Sequence, residues 1–115
     1  MLRLQNYING ELVAPITCNY LDNFDPSRGK VYSLIPDSDA NDVELAVKAA
    51  KAAFPSWSVT PKDVRAAFLI KIADLIEKNL DKLAHAESMD NGKPLHLSKS
   101  VDIPRAASNF RFYGT

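Results

Sequence analysis

The chain predicts a helix-rich α/β fold, with an N-terminal β-hairpin and short strands followed by three to four helices. Three observations carry this reading. Asn9-Gly10 stands between the short runs Gln5–Ile8 and Glu11–Val13. Asp25-Pro26-Ser27-Arg28-Gly29 separates two extended segments, and from Asp39 onward apolar residues recur at helical rather than alternating spacing. With 115 residues, 46% hydrophobic and 24% charged, the composition is that of one ordinary globular domain rather than a disordered chain. Within it, residues 1–36 read as a hairpin and strand unit and 37–115 as a helical unit.

Each element has a local cause. Asn-Gly supplies two residues tolerant of positive φ, which a type I′ hairpin turn requires. Tyr20 to Phe24 is extended and stops at the Asp-Pro turn, where Pro26 presets φ and Gly29 permits the exit. Lys30 to Ile35 then pairs back as a strand that Pro36 stops. Ser38 or Asp39 caps the first helix, and Asp42 and Glu44 place negative charge near its positive end. Val43, Ala46, Val47, Ala50 and Phe54 share one face of it, and Pro55 is expected to end it at Phe54. Thr60-Pro61 opens a second helix with Val64, Phe68, Ile72, Leu75 and Ile76 as its buried stripe. Asn79 interrupts, Leu80 to Met89 continues with Leu83 and Ala84 inward, and Gly92 with Pro94 forms the stop. A last helix runs from about Asp102, with Ile103, Ala106, Ala107, Phe110 and Tyr113 on one side.

Composition excludes several function classes. Lys+Arg and Asp+Glu are equal at 14 each, so there is no net field to hold nucleic acid or an anionic membrane. No apolar run approaches the roughly 18 residues that would span a bilayer. Cys18 is the single cysteine, and Ile16-Thr17-Cys18-Asn19 offers no cation or histidine to activate it, so it reads as structural and not catalytic. One cysteine also fits a reducing, cytoplasmic setting. His85 and His96 lack a partner at metal-ligand spacing. The glycines are isolated, so Lys93 in Asn91-Gly92-Lys93-Pro94 belongs to a helix stop and not to a phosphate loop. Phe110 to Tyr113 reads as a packing face, and Glu87 with Asp90 as helix-surface charge.

Taken in order, these segments resemble the N-terminal portion of the aldehyde dehydrogenase superfamily. The anchors are Tyr7 to Glu11, Phe24 to Val31, Ala46 to Phe54, Trp57, Ala73 to Glu77, and Asp90-Asn91-Gly92-Lys93-Pro94. Each is weak alone; the order and separations are specific, and they cover nearly the whole chain. The closing stretch Asp102 to Tyr113 looks most like the branch acting on 2-aminomuconic or 2-hydroxymuconic semialdehyde.

The resemblance implies a partial Rossmann-like cofactor-binding domain, an NAD or NADP cofactor for the parent enzyme, and oxidation of an aldehyde to an acid. It places no catalytic and no cofactor-binding residue in this chain, so the polypeptide is expected to be catalytically silent alone and to bind no cofactor. It also implies a structural monovalent cation held by Asn23, Phe24 and Asp102, the alternative being that Asp102 caps the last helix. The expected partners are further copies of itself or full-length aldehyde dehydrogenase subunits, since the apolar helix stripes outnumber the strands available to cover them. A non-enzymatic oligomerisation module is the competing reading.

Overall fold

A computed structural model describes residues 1–115, which fall into two units, Met1–Val59 and Thr60–Thr115. The expected α/β class is what is found. The first helix clusters with the strands in the first unit, not with the other helices.

In the first unit, β1 (Leu2–Arg3), β5 (Lys30–Pro36) and β4 (Tyr20–Asp25) form one sheet in the order β1-β5-β4. β4 and β5 run antiparallel, whereas β1 lies parallel to β5 with Leu2 opposite Ser33. A strand this short at the N-terminus has no sequence signature, and the sequence reading missed it. The guanidinium of Arg3 lies 4.8 Å from the Tyr20 ring centroid, adding a cation–π contact on the same sheet. The Asp25 turn closes as its residues dictate: Gly29 sits at φ 64° and donates its N–H to the Asp25 carbonyl at 2.8 Å. Oδ1 of Asp25 accepts from the N–H and the hydroxyl of Ser27 at 2.9 and 2.6 Å. Those bonds, with Arg28 nearby, hold the Asp25 carboxyl below its ordinary value of 3.8.

β2 (Asn6–Ile8) and β3 (Glu11–Val13) make a separate hairpin whose turn residues, Asn9 and Gly10, have φ of 53° and 82°, as a type I′ turn demands. α1 (Ala40–Ser58) follows. Of the two expected caps, Asp39 is the one used: its Oδ1 accepts the N–H groups of Asn41 and Asp42 at 2.8 and 3.3 Å, which lowers its pKa. Asp42 does more than complement the helix dipole. It is buried, at 4% exposure, and its Oδ2 accepts the Asp39 N–H at 3.0 Å, closing a reciprocal capping box. Its Oδ1 accepts the Ile16 N–H at 2.9 Å, so one carboxylate ties the segment after the hairpin to the start of α1.

The expected end of α1 at Phe54 is corrected: the helix runs to Ser58 with Pro55 inside it. Near a helix end a proline deserts one carbonyl only, and the Ser56 and Ser58 hydroxyls donate to the carbonyls of Ala53 and Pro55, at 3.2 and 3.0 Å, within this last turn. The predicted apolar face of α1 is not enclosed. Val43, Val47 and Phe54 are exposed by 59%, 40% and 66%.

The second unit holds α2 (Lys62–Lys78), α3 (Leu80–Asn91), a single helical turn α4 (Leu95–Leu97), a π-helical turn at Ser98–Asp102, and α5 (Ile103–Tyr113). Asn79 separates α2 from α3 as expected, with its N–H and side-chain amide both turned to the Leu75 carbonyl. The stripe predicted for α2 is corrected. Ala66, Leu69, Ile70, Ala73 and Ile76 are the more enclosed positions, whereas Val64, Phe68, Ile72 and Leu75 are exposed. α2 packs on α5, where close approach selects small residues: Ala73 and Ala107 are buried, and a Cβ on Gly114 would come within 2.7 Å of Ile70 Cδ1. Arg111 of α5 donates to Asp74 and Glu77 of α2 at 3.0 and 2.8 Å, which raises its pKa further.

Two outcomes follow from the first unit. Asp42→Ala removes the acceptor of two part-buried backbone N–H groups and should lower unfolding free energy by about 2 kcal/mol in urea titrations, with Asp42→Asn milder because an amide oxygen still accepts. Asp25 and Asp39 have folded pKa values below their unfolded ones, so their stabilisation is present above the unfolded value and lost as pH falls through the folded one. Melting temperature followed by circular dichroism should therefore drop below about pH 4, and the drop should flatten in Asp25→Asn and Asp39→Asn.

Candidate functional site

Within each unit, the residues singled out from the sequence build no reactive centre. Cys18 is exposed, at φ 57°, in a tight turn where its N–H donates to the Pro15 carbonyl at 2.8 Å. Nothing around that turn builds the electropositive pocket a thiolate nucleophile needs. His85 directs Nδ1 at the carbonyl of Asp81 one helical turn earlier, at 2.8 Å, which is local helix chemistry. No group of three or more His, Cys, Asp or Glu side chains is placed to hold a metal ion. The hollows beside the hairpin, of about 400 and 410 Å³, are walled by Tyr7, Ile8, Ala46 and Ala49 on one side and by Val13, Leu45 and Ala52 on the other. They are shallow and mostly apolar.

The polar order in the chain concentrates instead around Asn91-Gly92-Lys93-Pro94. Gly92 takes φ 77° after the last turn of α3, and its N–H returns to the Ser88 carbonyl at 2.9 Å, the left-handed stop read from the sequence. Asn91 then works with both ends of its amide: it donates to Glu87 at 2.7 Å and accepts the Lys93 N–H at 2.8 Å. The Ser88 hydroxyl donates to the Lys93 carbonyl at 2.6 Å. Lys93 is thus held at both its backbone groups, and its ammonium meets Asp102 Oδ1 at 2.7 Å. A second ion pair, Lys99 with Asp81 at 2.9 Å, joins the π-turn to the start of α3, and the lysine lowers the Asp81 pKa.

Asp102 does not cap the last helix, contrary to that alternative. Its backbone is already helical, at φ −66° and ψ −53°, and its side chain makes no capping bond. The chain has been coiled since Leu95, so the amides that a cap would serve have carbonyls upstream; Ile103, for example, donates to Ser98 across the π-turn. Oδ2 of Asp102 and the Ser98 hydroxyl are buried without a hydrogen-bond partner. Asn23 and Phe24 lie on β4 of the first unit, at a register shift. The Asn23 amide donates to the Tyr32 and Ser33 hydroxyls at 3.1 and 3.0 Å.

Three polar roles escaped the sequence reading: Asp42, Arg111 and the Lys93–Asp102 pair. Asp39 and Asp42 stand at capping-box spacing, which was a usable signal. Asp74 and Glu77, three residues apart, present one acidic patch on α2, although nothing local shows that Arg111 reaches it. The Lys93–Asp102 pair depends on the π-turn, which has no sequence mark.

Comparison with known proteins gives one consistent result. The chain is 50% identical over 115 residues to the 2-aminomuconic semialdehyde dehydrogenase of Danio rerio, and 44% identical to that of Homo sapiens. These alignments cover 99% and 100% of this chain but 23% of each relative, so the chain spans about a quarter of their length. Among solved structures it is similar to PnpE in complex with nicotinamide adenine dinucleotide, at TM-score 0.95 and 40% identity, covering 96% of this chain and 23% of that one. It is equally similar to a putative aldehyde dehydrogenase from Burkholderia cenocepacia, at TM-score 0.96 and 39% identity, covering 99% and 23%. The model of the aldehyde dehydrogenase family matches residues 13–115. On that match and these identities, the chain belongs to the aldehyde dehydrogenase family.

Proposed function

We propose that the chain forms the N-terminal part of the cofactor-binding domain of an NAD(P)-dependent dehydrogenase that oxidises a muconic semialdehyde to its acid, and that it performs no chemistry alone. One observation carries this: similarity to 2-aminomuconic semialdehyde dehydrogenases runs unbroken over the chain, yet covers 23% of those proteins. NAD(P)+, when bound to such an enzyme, accepts the hydride of the aldehyde. The residues of this chain supply scaffold instead: a capped helix tied to a hairpin by Asp42, and a helical unit braced by Lys93 and Arg111. Cys18, held in an exposed turn, is not the nucleophile that acyl transfer to a thiol requires. A cytoplasmic location accords with the single cysteine and with the absence of any helix long and apolar enough to cross a membrane.

A second reading, a self-associating module that also docks on full-length subunits, is favoured by the exposed apolar side chains Val43, Phe54, Phe68 and Leu75.

The 115-residue chain mixed with NAD+ or NADP+ and 2-hydroxymuconic semialdehyde should give no rise in absorbance at the reduced-nicotinamide band. Replacing the matching N-terminal quarter of the Danio rerio relative by this chain should leave turnover of 2-aminomuconic semialdehyde within about tenfold of the parent. Turnover by the isolated chain, or a dead but folded chimera, overturns the reading. Multi-angle light scattering of the isolated chain should show a dimer or larger species; a monomer across the accessible concentrations removes the self-associating module.

A further inference from the structure

We propose that Lys93 is a tethered cation that takes the place of an alkali ion at Asp102. The assignment concerns the second unit alone and stands apart from the dehydrogenase reading. Its basis is how the lysine is held. Gly92 in the left-handed region turns the chain, Asn91 Oδ1 fixes the Lys93 N–H, and the Ser88 hydroxyl fixes its carbonyl. The side chain leaves from a backbone already immobilised, so less ordering entropy opposes its contact with Asp102. That contact is short, 2.7 Å between Nζ and Oδ1, and partly sheltered, with the two side chains 39% and 23% exposed.

The consequence for a second cation is electrostatic. Lysine neutralises the carboxylate at Oδ1, so an alkali ion approaching Oδ2 meets an ammonium on the same group. Its attraction to Asp102 is largely cancelled while the cost of stripping its water is unchanged. Oδ2 is buried and takes no hydrogen bond, but with the charge already balanced a neutral donor suffices there.

The test measures melting temperature of the whole chain in sodium, potassium and rubidium chloride against tetramethylammonium chloride at equal ionic strength. The unmodified chain should melt alike in all four. Lys93→Gln should melt lower in tetramethylammonium and regain about 4 °C, saturably, in an alkali salt. Lys93→Gln combined with Asp102→Asn should regain nothing. A saturable, alkali-specific rise in the unmodified chain that Asp102→Asn removes overturns the proposal, as does a folded Lys93→Gln variant indifferent to alkali ions. Should Lys93→Gln fail to fold in every salt, the response of the unmodified chain decides: flat supports, rising overturns.

Discussion

Close approach between helices through small side chains governs what this chain encloses. In the second unit the buried hydrophobic positions are Ala73, Ala84 and Ala107, and Ser98 is buried beside them in the sequence of helical turns. Such residues let backbones come near each other, as the crowding around Gly114 shows, but each removes little apolar area from water. The larger apolar residues Val64, Phe68, Ile72 and Leu75 of α2 stay outside that enclosure. A polypeptide built this way leans on polar ties for definition: Arg111 across α2 and α5, Asp42 at the start of α1, Lys93 at the π-turn. Only Asp42 among these is buried, and buried polar groups must each find a partner. When they do, they select one arrangement among many that would bury a similar area.

What the residues foretold, and what they did not, divides along a physical line. Asn9-Gly10, the Asp25 turn, the Asp39 cap and Gly92 were legible because each is decided by the backbone of one short segment. Family membership was legible for a related reason, since these local marks recur at set separations over most of the chain. The buried face of α2 was not. That helix carries apolar residues on two sides, Val64-Phe68-Ile72-Leu75 and Ala66-Leu69-Ile70-Ala73, and periodicity favours the bulkier set. Which side is enclosed depends on α5, more than thirty residues later, whose Arg111 and Ala107 accept only a slim partner. Pro55 misled because a rule for helix interiors was applied one turn from a helix end.

The Asn91-Gly92-Lys93-Pro94 segment shows how one short motif serves several levels at once. Its glycine ends a helix, its asparagine and the preceding serine orient the next residue, and that residue reaches a carboxylate nine positions on. A reading confined to the helix stop accounts for the first task alone. The π-turn accounts for the last, because one extra residue per turn between Ser98 and Ile103 sets where Asp102 falls.

The strand order β1-β5-β4 leaves β4 at the margin of its sheet, and Leu21 and Phe24 on that strand are half exposed. Such a margin is adhesive: it templates fibrous stacking whenever two molecules align there. Asp22 within β4 and Pro26 just after it are exposed, and there a charge and a missing N–H interrupt that growth. Keeping this polypeptide dispersed in a test tube therefore turns on those two gatekeepers.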